Sequence, residues 1–156
     1  MTGITTYGAP RRRPLFVFAV AMALFALVAG APAAFAATLT VTITGVHSAK
    51  GDVYVALFNR AENFPDGDYS IRHLKVKAST VPIVVSFNDI PAGTYAVGCY
   101  HDEDKLGHFK TNWFGYPLDG YALSNGIRAV VSRPTFAQAA FAVGNPATSV
   151  TLNVRY

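Results

Sequence analysis

The amino-acid sequence predicts an all-β protein, a single antiparallel β-sandwich of about seven strands with one long ordered loop. In most of the chain after residue 37, apolar side chains recur at every second position, which is the period of a half-buried strand. Turn-forming residues interrupt these runs about every eight to twelve residues, and no segment has the spacing of an amphipathic helix. Together these observations favour two packed antiparallel sheets.

The N-terminal region has the composition of a secretory signal peptide. Three arginines at residues 11–13 precede an apolar run from residue 15 to about residue 29, and small residues follow at Ala34 and Ala36. The apolar run is shorter than the roughly 20 residues that a membrane-spanning helix needs. We therefore expect a signal peptide over residues 1–36, cleaved after Ala36, and a secreted or periplasmic protein with no membrane span.

Removal of this leader would leave one β-sandwich domain over residues 37–156, which is long enough for a single core. That segment carries ten Lys and Arg against nine Asp and Glu. Its near-neutral charge argues against nucleic acid as a partner, because nucleic-acid binding needs clustered cations. Cys99 is the single cysteine, so no intramolecular disulfide forms, and we expect it to be an inert core thiol.

Seven segments have the alternation of strands. They lie at residues 39–44, 53–58, 73–79, 81–87, 95–99, 136–143 and 150–154. In the second segment, Val53, Val55 and Leu57 share one face. We expect the first two segments to pair as a hairpin across the turn at 48–52, and Pro82 predicts an edge position or a strand entry.

The segment at residues 136–143 carries two competing signals. Its apolar residues fit a strand, whereas the stretch from Ala137 to Ala140 favours helix locally. We predict that the segment is mostly strand.

Residues 101–125 form a long loop that is rich in acids, aromatic residues, glycine and asparagine. Ordered loops of this length are often functional, and loops at one end of a rigid β-scaffold commonly carry binding residues. The predicted ligand-binding residues are His101, Asp102, Asp104, Asn112, Trp113, Tyr116, Asp119, Tyr121 and Asn125. Aromatic rings beside polar groups suit sugar or peptide ligands. The alternative is that the rings fold back and cover the open end of the sandwich.

Six motifs of the mature chain are similar to those of a known family. They are GDVYVALFN at 51–59, Glu62 with Phe64 and Pro65, FNDIPAGTYAV at 87–97, HDED at 101–104, TNWFGYPLDGYALSN at 111–125 and RPTFAQAAF at 133–141. On these motifs, residues 39–156 resemble the secreted bacterial family catalogued as domain of unknown function 2141. The resemblance implies a secreted or periplasmic single domain, a transthyretin-like, Ig-like or carboxypeptidase-regulatory-like β-sandwich, and no established activity.

Members of that family commonly carry a sequence after the histidine that is similar to a calcium-binding loop. Here Asp102, Asp104 and Gly107 fill positions 1, 3 and 6 of such a loop. Lys110 and Trp113 stand at positions 9 and 12, where oxygen donors are wanted. The resemblance therefore implies a calcium site with Asp102 and Asp104 as ligands, and the alternative is that these aspartates cap turns.

Other chemistries have weaker support in the sequence. His101 and His108 could ligate zinc, but their spacing fits no strong motif, and strand parity places His101 on the inward face as a hydrogen-bonded histidine. Hydrolase chemistry could use Asp102, Asp104 or Asp119 as an acid or base, or Ser124 as a nucleophile. Ser124 lacks a Gly-x-Ser-x-Gly context.

The resulting functional prediction is an exported, non-catalytic module that binds an unknown periplasmic or extracellular ligand or protein through the 101–125 loop. The competing hypothesis is a calcium-binding protein, or a metal-dependent hydrolase, centred on Asp102 and Asp104. Without that metal, no cofactor is expected.

Overall fold

The computed structural model describes residues 2–3, 36–128, 132–144 and 147–156 of the chain. Almost all of the predicted signal peptide over residues 1–36 lies outside the described residues. The chain divides into two units, Met1–Ala33 and Ala34–Tyr156, and every element described below belongs to the second. Within the described ranges, no helix is both long and apolar enough to cross a membrane.

The second unit is a β-sandwich, as the alternation of the sequence predicts. Its strands are β1 (Ala36–Thr44), β2 (Asp52–Phe58), β3 (Arg72–Lys77), β4 (Ile83–Pro91), β5 (Gly93–Asp102), β6 (Gly120–Leu123), β7 (Phe141–Val143) and β8 (Thr148–Asn153). Two short 3₁₀ turns, Gly67–Tyr69 and Ser124–Gly126, and one helical turn, α1 (Phe136–Ala139), complete the regular structure of the described residues.

The strands form two sheets that pack face to face. The three-stranded sheet has the order β4-β1-β8, and the five-stranded sheet has the order β3-β2-β5-β6, with β7 paired to the first residues of β5. The pairings are antiparallel except that β1 and β8 run parallel, which the prediction of a purely antiparallel sandwich did not anticipate.

The predicted hairpin between the first two strands is wrong. Strand β1 pairs with β4 and β8, while β2 pairs with β3 and β5 in the other sheet. The connection at 45–51 crosses between the sheets and inserts Val46 into the core on the way. Alternation identifies which residues of a strand face inward, but it does not identify the partner strand.

The main core fills the space between the two sheets. The three-stranded sheet contributes Leu39, Val41, Ile43, Val85, Phe87, Ile90 and Leu152, and the five-stranded sheet contributes Val53, Val55, Leu57, Tyr95, Val97, Cys99 and Ala122. The face of β2 that the sequence groups together, with Val53, Val55 and Leu57, is therefore the inward one. The prediction of Cys99 as a core thiol is confirmed, because Cys99 is 6% exposed and belongs to the main core. The same burial raises the pKa of its thiol to about 12.

The segment at residues 136–143 is not mostly strand, which corrects the prediction. Residues Phe136–Ala139 form the helical turn α1, and only Phe141–Val143 form a strand. Thr135 caps this turn, since its hydroxyl accepts from the backbone N–H of Gln138 while the Gln138 side chain accepts from the N–H of Thr135. This capping box, together with the local alanines, outweighs the apolar alternation.

A second, smaller core lies on the outer face of the five-stranded sheet. Phe58, Ala96 and Leu123 of the sheet pack there against Phe64 and Ala139 from the connecting segments. The Phe64 ring meets the Phe58 ring edge to face, with centroids 5.0 Å apart. One end of this outer face is therefore covered by the segments around Phe64 and α1.

Candidate functional site

The outer face of the five-stranded sheet contains a trough whose floor is made by two small residues. Ala56 of β2 and Gly98 of β5 are cross-strand partners, and both lie on the face of the sheet that is turned away from the main core. A Cβ on residue 98 would lie 2.9 Å from Cδ2 of Leu123, so a larger residue would displace that side chain. Because their flanking neighbours are bulky, this Ala-Gly pair leaves a depression in the sheet.

One wall of the trough is an aromatic row, formed by Tyr54, Tyr100, Phe109 and Tyr121. Tyr54 and Tyr100 are cross-strand partners whose rings stack 5.0 Å apart and almost parallel. The Phe109 ring lies edge to face against both Tyr100 and Tyr121, with centroids 5.6 and 5.8 Å apart. Lys75 extends the row, because its Nζ lies 5.3 Å from the centroid of the Tyr54 ring.

The segments at 65–70 and 132–134 also line the trough, and its volume is about 1160 Å³. That volume exceeds the usual 300 to 1,000 Å³ of small-molecule pockets, so the trough has room for an extended ligand. Ser70 lines the trough, but its hydroxyl oxygen is buried and has no hydrogen-bond partner among the described residues. An unpaired buried hydroxyl is costly unless a ligand or water satisfies it.

The loop that follows β5 is held by two buried aspartates. Asp102 accepts hydrogen bonds from the backbone N–H groups of Leu106 and Gly107, at 3.0 and 2.7 Å. Asp119 accepts from the backbone N–H of Lys110 at 2.8 Å, and the ammonium group of Lys110 lies 3.3 Å from its other oxygen. The turn-capping interpretation of Asp102 is thereby confirmed, since both of its carboxylate oxygens are used within the loop.

The tip of this loop presents aromatic rings to solvent. The side-chain oxygen of Asn112 accepts from the backbone N–H groups of Phe114 and Tyr116, at 3.0 and 2.9 Å, and so shapes the tip. Trp113 is 89% exposed and Phe114 is 74% exposed. The alternative in which these rings cover the end of the sandwich is therefore wrong for Trp113 and Phe114.

The predicted site residues fall into separate groups. Tyr116 and Tyr121 line the trough, and Trp113 lies beside Phe114 on its rim with ring centroids 4.9 Å apart. Asp104 forms a surface ion pair with Lys110. The others have internal partners: His101, Asp102, Asn112, Asp119 and Asn125.

Several of these internal partners connect the loop end to the rest of the fold. Asn125 adopts a φ of 60° and donates from Nδ2 to the carbonyls of Gln138 and Ala140, both at 3.0 Å. Ser124 donates to the carbonyl of Ala139 at 2.6 Å and accepts from the N–H of Val97. Ser124 is buried in these bonds, which does not suit an accessible nucleophile.

Sequence reasoning missed most of the trough. Among the lining residues it did not identify are Tyr54, Ala56, Pro65, Ser70, Gly98, Tyr100, Phe109 and Arg133. The alternation of β2 already placed Tyr54 and Ala56 on the outward face. However, alternation alone could not show that Ala56 meets Gly98, because those residues are distant in the chain.

The ionisable groups of the trough give it little net charge. Asp66 and Asp68 line it together with Arg133, His73 and His108. Burial, the largest cause, raises the pKa of Tyr100 well above its usual value, and the nearby charges of Tyr54 and Asp102 add to this effect. The Tyr100 hydroxyl therefore remains a hydrogen-bond donor at neutral pH.

Comparison with known proteins identifies a family but no activity. The profile of the family described as "Uncharacterized protein conserved in bacteria (DUF2141)" matches residues 41–151. No curated protein and no solved structure shows significant similarity to the chain.

Proposed function

The chain belongs to this uncharacterised bacterial family, and we propose on the geometry of the outer trough that it is a non-catalytic module that binds a neutral oligosaccharide. The observation that carries this proposal is the aromatic row beside the Ala56-Gly98 floor of the trough. Sugar rings can stack on such aromatic side chains while their hydroxyl groups form hydrogen bonds with the tyrosine hydroxyls.

The shape of the floor favours recognition through side chains. Strands β2 and β5 each have partners on both sides, so the floor offers no free strand edge to an extended peptide. Addition of a peptide strand requires such an edge. A ligand in the trough must instead contact the aromatic row and the hydroxyl groups of residues such as Thr111 and Ser132.

The charge of the lining favours a neutral ligand. Asp66 and Asp68 carry negative charge and Arg133 carries positive charge, so charged side chains of both signs line the trough. A site for a strongly charged ligand is expected to be lined mainly by side chains of the opposite charge. This mixed lining gives no such preference.

We also propose that the module acts outside the cytoplasm, because the sequence of residues 1–36 has the pattern of a cleaved signal peptide. We further propose that the sandwich is transthyretin-like. The proposed export is tested by N-terminal sequencing of the protein recovered from its native compartment, with Ala37 expected as the first residue. Recovery of the uncleaved chain from the cytoplasm would contradict the proposal.

The calcium hypothesis has less support than the trough. Both carboxylate oxygens of Asp102 accept backbone hydrogen bonds, and Asp104 is paired with the ammonium group of Lys110. A calcium ion needs six to eight oxygen ligands, and two loop positions that should supply them are occupied by Lys110 and Trp113.

The trough can be tested by filling its floor. Titration calorimetry with a β-1,4-linked glucose hexamer and an N-acetylglucosamine hexamer should detect binding by the native chain. The change Ala56→Phe should weaken that binding by about tenfold or more, because the new ring occupies the depression. Thr42→Phe is the matched control, since Thr42 is half-buried on the outer face of the central strand of the other sheet.

Each outcome of the titration decides between hypotheses. Equal weakening by both substitutions, or no effect of Ala56→Phe, would remove the trough as the binding site. Binding of a proline-rich peptide but of neither sugar, with loss in Ala56→Phe, would keep the trough and overturn the ligand class.

A further inference from the structure

A cluster of three metal-ligating side chains lies on the opposite side of β5 from the trough. His47, His101 and Glu103 each place one donor atom within 4.8 Å of the other two. His101 belongs to β5 and is fully buried, Glu103 follows that strand, and His47 comes from the connection between the sheets. The fold therefore brings together donors that are distant in the chain.

The hydrogen bonds of His101 define which of its ring nitrogens carries a proton. Nε2 lies 2.7 Å from the carbonyl oxygen of Lys50, and a carbonyl can only accept. Nε2 is therefore protonated, and in the neutral ring the lone pair is on Nδ1. Nδ1 lies 2.6 Å from the hydroxyl of Tyr156, which can donate to it. Metal-ligating histidines are commonly oriented in this way, by a carbonyl that accepts from the nitrogen not bound to the metal.

The other two members of the cluster are accessible and already close together. Nε2 of His47 lies 3.0 Å from Oε1 of Glu103, with side chains 50% and 33% exposed. The hydroxyl of Ser48 donates to the same oxygen of Glu103, which helps to hold that side chain beside His47.

We propose that His47, His101 and Glu103 bind a divalent transition-metal ion of the zinc class. Two imidazoles and one carboxylate are a common donor set for zinc, and imidazole is a poor ligand for calcium and magnesium. Nδ1 of His101, a ring nitrogen of His47 and a Glu103 oxygen would take three positions of a tetrahedron. A water molecule or the phenol oxygen of Tyr156 would take the fourth.

This site differs from the two metal sites that the sequence suggested. His108 lines the outer trough, whereas His101 faces inward, so the partner of His101 is His47. Asp102 and Asp104 are not members of the cluster.

The position of Tyr156 couples metal binding to a measurable rearrangement. Its ring stacks on His47 with centroids 3.7 Å apart, and its hydroxyl lies 3.3 Å from the His47 backbone nitrogen. When the metal takes Nδ1 of His101, the hydrogen bond from Tyr156 to that nitrogen must break. The environment of the Tyr156 ring should therefore change upon metal binding.

The test uses the chain after dialysis against a chelator. Titration with zinc chloride should show one site per chain, and cobalt(II) should bind with the visible absorption of a tetrahedral nitrogen and oxygen site. His47→Gln and Glu103→Gln should each weaken zinc binding by about tenfold or more. His108→Gln is the matched control and should leave binding unchanged, because His108 lies outside the cluster.

Both substitutions affect side chains that are at least one-third exposed, so the variants should remain folded, and thermal melting without metal checks this. Absence of zinc binding by the native chain would overturn the proposal. It would also be overturned by equal affinity in His47→Gln, or by equal loss in His108→Gln. The oligosaccharide titration involves none of these ligands, so the two proposals can fail independently.

Discussion

The two sheets of the sandwich share an inward pattern of apolar residues but differ on their outward faces. The three-stranded sheet presents mainly short polar side chains, such as Thr40 and Thr42 of β1 beside Ser86 and Ser149 of its neighbours. The five-stranded sheet presents large rings around a small floor, and connecting segments pack on it. Both faces use the same strand geometry, so the difference comes from side-chain size and from where the long connections pack.

This comparison indicates where a β-sandwich of this kind can acquire a binding site. A face of short polar residues is satisfied by water and gains little from a ligand. A face with an Ala-Gly floor between rings offers both depth and apolar contact. The trough thus results from contrast in residue size across neighbouring strands.

The largest expected effect tests the second core on the five-stranded sheet. Phe64 is 4% exposed and packs against Phe58 and Phe136. Phe64→Ala should lower the free energy of unfolding by about 3 to 5 kcal/mol. Val84→Ala, on the outer face of the other sheet and 61% exposed, should change it by less than about 0.5 kcal/mol. Chemical denaturation measures both, and similar effects would show that the two outer faces do not differ in packing.

The next largest effect on the free energy of unfolding is expected in the loop that forms part of the trough wall. Asp102→Asn should cost about 1 to 3 kcal/mol, because an amide cannot accept from both the Leu106 and the Gly107 N–H groups. Asp104→Asn removes an exposed ion pair and should cost less than about 1 kcal/mol. A calcium-dependent rise in melting temperature that is lost in both variants would instead support the calcium site.

A smaller effect concerns the charged end of the aromatic row. Asp52 contacts Lys77 and Lys75, at 2.9 and 3.3 Å. The hydrogen bond from Lys77, the largest cause, lowers the pKa of Asp52, and Lys75 adds to this. A lowered carboxyl pKa contributes stability that is complete above the unfolded value of about 4 and is lost as the pH falls through the folded value.

Asp52→Asn should therefore flatten the acid side of the stability profile. The native chain should lose more free energy of unfolding than the variant between about pH 6 and pH 3. High salt should reduce the difference, since both lysines are largely exposed. Identical profiles for the two proteins would show that these ion pairs contribute nothing.

The smallest effect on stability is expected at the rim of the trough. Trp113→Ala should leave the melting temperature almost unchanged, because the ring is 89% exposed. Trp113 is the sole tryptophan, so its emission should be that of a solvated indole and should be quenched by acrylamide. A blue-shifted emission resistant to quenching would mean that the ring packs against the protein in solution.

The sequence predicted the inward faces of the strands, because these depend on local pattern, but it assigned strand β6 (Gly120–Leu123) to the 101–125 loop. Alternation placed Val55, Cys99 and His101 inside, and the buried positions confirm it. The pairing of β1 with β4 and β8 depends on contacts between distant segments, and local pattern carries no information on these.

The same limit explains what was missed at the candidate sites. Ala56 and Gly98 are inconspicuous until β2 and β5 lie side by side, and His47 joins His101 only after its connection crosses between the sheets. In the loop, the abundance of acids suggested ligands. Two of those acids, Asp102 and Asp119, instead hold the backbone of the loop.

The parallel pairing of β8 with β1 has a consequence for the order of folding. After β8, the chain moves to the other sheet, where Arg155 and Tyr121 exchange backbone hydrogen bonds at 3.0 and 3.1 Å. Residues from opposite ends of the domain must therefore meet before the three-stranded sheet is complete. A chain still emerging from the ribosome would lack β8, so its three-stranded sheet would remain incomplete until β8 has been made.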